Sequence, residues 1–248
     1  MSVVYVMWLR QLKRYWRSKP RIIGSLGQPM LFLLALGFGF GPIYERAGGG
    51  DYIQFLAPGI IAMSVLFTAV FSGIELIWDR QFGFLKETLA APVPRMTIML
   101  GKTLGGATVA TGQGAVVFLL TLVVGFRPER WLMLPVALVF MFLTALLFTA
   151  LGMSIASRMS DMHAFPLIMN FLVMPLFFLS GALFPLDGLP PAILTAARVD
   201  PFSYGVDALR GALVGSSHFG LGVDLVILSV VAAAFLLLGT VLFERVEI

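Results

Sequence analysis

The chain has 248 residues, 59% hydrophobic and 12% charged, with a formal net charge of +4 and a mean hydropathy of +0.96. A soluble domain carries roughly 25% charged residues, so an ordinary water-soluble globule is excluded. There is no cysteine and the two histidines, His163 and His218, lie far apart, so disulfides and thiol chemistry are excluded and a histidine-rich metal site is not expected.

The first 21 residues carry six basic groups and no long apolar core, so no cleavable signal peptide is expected. Residues 3–19 predict an amphipathic helix. At about 100° per residue, Tyr5, Trp8, Leu9, Leu12, Tyr15 and Trp16 fall on one side and Arg10, Lys13, Arg14 and Arg17 on the other. Aromatics opposite cations suit a helix lying in the membrane interface; a helix packed on a partner protein is the other assignment. Pro20 is expected to break it.

Six apolar stretches follow, near 22–41, 53–77, 98–124, 131–156, 164–184 and 221–243. A spanning helix needs roughly 20 mostly apolar residues, because the hydrocarbon core is about 30 Å thick. The pattern predicts an all-α membrane protein, one domain over 1–248, with short connectors. Six spans put both termini on one side, and basic residues choose the side. Arg10, Lys13, Arg14, Arg17, Lys19, Arg21, Arg80, Lys86, Arg95, Lys102, Arg158 and Arg245 share the N-terminal side. Only Arg46, Arg127, Arg130, Arg198 and Arg210 face the other. Both termini are therefore expected in the cytoplasm. The basic surplus sits beside helix ends, where it sets topology and meets headgroups, so no nucleic-acid partner is expected.

The connector 78–97 is cytoplasmic in this scheme. It runs through Gly83 and the segment Leu85–Leu89 to Pro92 and Pro94, which predicts a short amphipathic helix stopped by prolines. The third span is rich in small residues. Gly101 and Gly105 have the spacing that lets helix backbones approach closely in lipid, as do Gly106 and Ala110. Gly101-Lys102-Thr103 imitates the end of a phosphate-binding loop, but Met96 stands where the first glycine is required. Lys102 is expected to snorkel to the headgroups instead.

Ionisable residues deep in the spans are few. Glu75 lies about one turn from the end of span two and is expected to pair with Arg80 or a neighbouring helix; Asp224 opens span six. Ion relays need several such groups at depth. Asp161 and His163 read as a solvated turn with Arg158, and Asp187, Asp200 and Asp207 as loop caps.

The fifth span is interrupted by Asn170, Pro175, Ser180 and Gly181 before Phe184-Pro185. Such breaks are tolerated where neighbours re-satisfy the backbone or where it lines a cavity, which makes this span the pointer to a pathway. The following segment, 185–220, holds Pro185, Pro190, Pro191 and Pro201 but keeps apolar pieces at Ile193–Ala197 and Tyr204–Leu213. Pieces too short to span yet too apolar for water predict re-entrant or interfacial helices.

Several runs together resemble membrane subunits of the ABC type-2 exporter family, of the daunorubicin-resistance and nodulation-factor permease kind. They are Tyr52–Gly59, Lys86–Arg95, Phe178–Leu186 and Asp200–Tyr204, in matching order over essentially the whole chain. The resemblance implies six spans, an N-terminal interfacial helix, a coupling helix over about 79–91 and a re-entrant helical pair within 185–220. It implies two permease subunits, as a homodimer, with two separate ATPase subunits that hold ATP and magnesium. It also implies the cytoplasmic (inner) membrane of a prokaryote. This chain then holds no cofactor, no metal and no catalytic residue.

On that resemblance, Gln81, Phe82, Phe84, Leu85, Lys86, Glu87 and Thr88 are the expected ATPase interface. Glu87 supplies the polar contact and Phe82, Phe84 and Leu85 the apolar anchors. Asn170, Pro175, Ser180, Gly181 and Phe184 are expected at the pathway or dimer interface. Trp8, Arg10, Lys13, Arg14, Trp16 and Arg17 form the interfacial helix beside membrane lipids. The implied activity is ATP-driven export of a hydrophobic or amphiphilic molecule, drug-like, lipid or glycolipid. The 22 Phe and 13 Met suit adaptable apolar surfaces. A polysaccharide or lipid-linked saccharide exporter is the alternative, and an ATP-independent transporter or channel a second one; a membrane-bound lipid enzyme is the third class.

Overall fold

The computed structural model of the chain describes residues 2–90 and 93–244, without the side chains of Lys86, Leu89, Ala90 and Glu244. The described residues are helical with turns between, and none is in a strand. The helices are α1 (Val3–Arg17), α2 (Lys19–Arg46), α3 (Tyr52–Phe71), α4 (Ile74–Gln81), α5 (Phe84–Ala90), α6 (Arg95–Val124), α7 (Leu134–Ser157), α8 (Ala164–Leu179), α9 (Pro191–Val199), α10 (Pro201–Leu213) and α11 (Leu221–Glu244).

Among the described residues, five stretches are long and apolar enough to cross a bilayer: α2, the α3–α4 pair, α6, α7 with the turn ahead of it, and α11. The expected fifth span differs. α8 has 16 residues, about 24 Å of helix against a hydrocarbon core of about 30 Å. It stops because Ser180 turns the chain and Gly181 takes φ +76°, a left-handed geometry that ends helices at glycine.

α3 is the central helix, with 78% of its most apolar window buried against 17% for α2 and 22% for α11. α6, α7 and α10 pack against it. In α10 every residue from Phe202 to Leu213 is buried. It starts at Pro201 because Asp200 caps it, Oδ1 accepting from the Phe202 amide at 2.8 Å.

Two boundaries move from their expected places. The first helix ends at Arg17, and Pro20 belongs to the first turn of α2, where its missing N–H costs nothing. The expected short helix at 79–91 begins only at Phe84. α4 continues to Gln81, and Gly83 at φ +79° makes the elbow. The expected end at residue 91 lies outside the described residues.

Side-chain ties sort the helix ends into two groups. Arg21 with Glu75, Lys102 with Asp79, and Arg80 with the Ser157 carbonyl gather the start of α2, the end of α4, the start of α6 and the end of α7. Gly239 of α11 lies against Met99 and Ser154 at the same end. The opposite end collects Tyr52 with the Leu183 carbonyl, Gln54 with the Gly125 carbonyl, and the Glu129 amide with the Leu213 carbonyl.

Candidate coupling site and the cavities at the opposite end

α1 lies along α6 because two glycines leave room for it. A Cβ at Gly101 would stand 2.7 Å from the Met7 Cβ, and one at Gly105 2.7 Å from the Gln11 Cβ. The small-residue spacing therefore serves packing within the chain. Trp8 Nε1 donates to Thr108 Oγ1 at 3.0 Å, and the Tyr15 hydroxyl donates to Gln113 Oε1. Burial pushes the Tyr15 phenol above its ordinary value, so it stays a neutral donor. The outer side of α1 keeps Trp16 78% exposed.

Arg10 and Arg14 of α1 point the other way, into α4. Asp79 accepts from Arg10 at 3.0 and 3.3 Å, from Arg14 at 3.3 Å, and from Lys102 Nζ. Lys102 is 1% exposed, so it does not snorkel; burial beside a carboxylate replaces the expected reach to headgroups. Glu75 pairs with Arg21 at 2.5 Å and stands 3.9 Å from Arg14. Of the two expected alternatives, the neighbouring helices supply its partners, and Arg80 donates to the Met159 and Ser157 carbonyls at 3.2 and 2.9 Å. Spacing could have revealed this cluster. Glu75 and Asp79 are four apart, as are Arg10 and Arg14, so each pair shares a helix face.

The elbow and α5 hang from this cluster. The Arg10 guanidinium sits 3.4 Å over the Phe84 ring centroid, a cation–π arrangement. Leu85 is fully buried and Thr88 Oγ1 donates to the Phe84 carbonyl at 2.9 Å. Gln81 Nε2 donates to the Ser160 carbonyl at 2.8 Å. Phe82 is 78% exposed and Glu87 is exposed. The expected interface thus divides: Leu85 and Thr88 face inward, Phe82 and Glu87 face out, and the Lys86 side chain lies outside the described residues.

At the other end, Arg210 does more than carry a topology charge. It is buried, donates to the Gly181 carbonyl at 2.9 Å, and stacks 4.0 Å from the Phe55 ring centroid. It satisfies backbone exposed where α8 stops. Asp207 accepts from Ser217 Oγ and the His218 and Phe219 amides at 2.7–2.8 Å. Asp161 caps the start of α8 in the same manner, accepting from the His163 amide at 2.7 Å.

Two cavities at this end share Tyr44 and Pro185. One, of about 420 Å³, is apolar, lined by Leu36, Phe40, Tyr52, Phe178 and Phe184. The other, of about 450 Å³, presents Asp187, Arg210, Ser216, Ser217 and His218. Of the expected pathway residues, Phe184 lines the apolar cavity. Ser180 and Gly181 are buried, while Asn170 and Pro175 face outward on α8 beside Leu167 and Phe171.

The chain is 34% identical to nodulation protein J of Rhizobium leguminosarum bv. trifolii over 196 residues, covering 78% of this chain and 74% of that protein. It is 29% identical to nodulation protein J of Rhizobium meliloti (strain 1021) over 226 residues, 90% and 86% of the two chains. It is 27% identical to the inner membrane transport permease YadH of Escherichia coli (strain K12) over 245 residues, 96% and 93% of the two. Residues 2–214, which carry both the ionic cluster and the capped helix α10 at the opposite end, match the model of the ABC-2 type transporter, and the chain belongs to that family.

Proposed function

We propose that this chain is the permease subunit of an ATP-driven exporter, working as two copies with two separate ATPase subunits that bind ATP and magnesium. α8 with residues 180–184 completes a sixth crossing, both termini face the cytoplasm, α9 and α10 form the re-entrant pair, and the membrane is the inner membrane of a prokaryote. The observation that carries this reading is the elbow at Gly83. It presents Phe82 and Glu87 outward while Leu85 and the Arg10–Phe84 stack fix it to the bundle. A surface element tied that firmly passes force to α4, α1 and α6 rather than absorbing it.

The outward face of α8 supports two copies meeting there. Asn170 lies among Leu167, Ile168 and Phe171, all exposed, and a polar side chain on an apolar helix face is best satisfied by a neighbouring helix. The adjoining apolar and polar outer cavities fit an amphiphile, with its tail beside Phe40 and Phe178 and its polar part near Arg210 and His218. A saccharide-bearing lipid is the second reading, favoured by the Tyr44 and Phe55 rings that border the polar cavity.

The test is co-purification with the ATPase subunit and ATP hydrolysis in proteoliposomes. Phe82→Asp and Glu87→Arg are expected to abolish stimulation of hydrolysis and weaken co-purification while the permease still inserts. Undiminished stimulation by both variants overturns the assignment.

A further inference from the structure

We propose that the groove between α1 and α6 is a binding site for one anionic phospholipid, headgroup at Lys13 and Arg17 and acyl chain along α6. The groove encloses about 540 Å³, within the range of ligand sites, and its wall is almost wholly apolar. Lys13, Trp16, Arg17, Gly112, Gln113 and Val116 border it.

The charge pattern selects the occupant. The first acidic residue of the chain is Glu45, so six cations precede any carboxylate. Arg10, Arg14 and Arg21 are consumed by Asp79 and Glu75. Lys13 and Arg17 have no carboxylate partner among the described residues and stand exposed, four apart, at the groove mouth. Two free cations over an apolar slot complement a phosphate carrying a hydrocarbon tail.

Two further features fit that occupant. Gln113 borders the groove, is 1% exposed, and its buried Nε2 has no hydrogen-bond partner among the described residues, so an unpaired amide donor lies in the groove wall. Beyond it, Val116, Leu119 and Val123 are 39%, 60% and 84% exposed on α6, a continuous apolar track for the chain. Trp16, 78% exposed, is placed as an interface anchor. Because α1 also carries Arg10 and Arg14 to Asp79, a lipid clamped at Lys13 and Arg17 holds the helix that supports the elbow.

The absence of cysteine permits a single label. Leu119→Cys carrying bimane, in phosphatidylcholine vesicles, is titrated with dibrominated phosphatidylglycerol or dibrominated phosphatidylcholine. The expected result is about a thirtyfold preference for the anionic lipid in quenching, from two cations near the surface. Lys13→Gln with Arg17→Gln should reduce it to about parity. Gly112→Phe, whose side chain enters open space, should also lower it with both cations in place. Exchanging the pair as Lys13→Arg with Arg17→Lys should preserve it and report on folding. Equal quenching by the two lipids in the parent protein overturns the proposal, and so does a preference that survives both Gly112→Phe and loss of the cations.

Discussion

The two ends of the bundle are held in different ways. At the α4 end, one carboxylate, Asp79, gathers Arg10, Arg14 and Lys102 from two other helices. At the α10 end, carboxylates serve backbone and hydroxyl donors: Asp200 caps α10 and Asp207 pins the loop at 217–219. The first kind of joint uses long side chains that tolerate small shifts in angle. The second uses short caps and buried packing, which do not. A motion entering at the elbow is therefore expected to reorganise the ionic end and to move α10 with α3 as one piece.

The largest expected effect is at Asp79. Asp79→Ala leaves Lys102 as an uncompensated buried charge, costing about 3–5 kcal/mol. The thermal melt in detergent should fall steeply, and Asp79→Asn combined with Lys102→Met should recover much of the loss. A melt unchanged in Asp79→Ala would mean that the ionic end is not held by ions. Next comes rigid packing at the other end. A Cβ at Gly59 would stand 2.3 Å from the Ala182 carbonyl oxygen, so Gly59→Leu should cost about 1–3 kcal/mol or more, read as lost folded yield. Arg210→Met removes the donor to Gly181 and should cost about 1–3 kcal/mol, together with faster proteolysis after α8. Smallest for stability are Phe82→Asp and Glu87→Arg, within about 0.5 kcal/mol because both sites are exposed. A melt much lower than that would show the elbow to be structural rather than presented to a partner.

Much of the architecture was legible in apolar length and proline position. α2, α6, α7 and α11 follow directly from hydropathy, and two short helices fill 185–220 where proline spacing and apolar pieces placed them. The shortfall at α8 was harder: Ser180 and Gly181 stood out as a break, but the apolar run continues past them to Phe184, and it takes the turn at Ser180, the φ of Gly181 and the reach of Arg210 to end the helix there. In the connector 78–97 the prolines and Gly83 marked a short helix, but its start depended on how far α4 continues, which the Trp78–Gln81 run does not announce. Lys102 misled for a physical reason. A lysine near a helix end snorkels unless a carboxylate lies within reach inside, and that carboxylate belongs to a different helix, 23 residues earlier.

Arg80 and Gln81, the last two residues of α4, hold the carbonyls of Ser157, Met159 and Ser160 where α7 ends. The elbow is consequently yoked to two transmembrane legs at once. Under the proposed coupling role, a stroke arriving at α5 is expected to reach α7 through this clasp without first deforming the hydrophobic interior, tilting α3 and α7 in step.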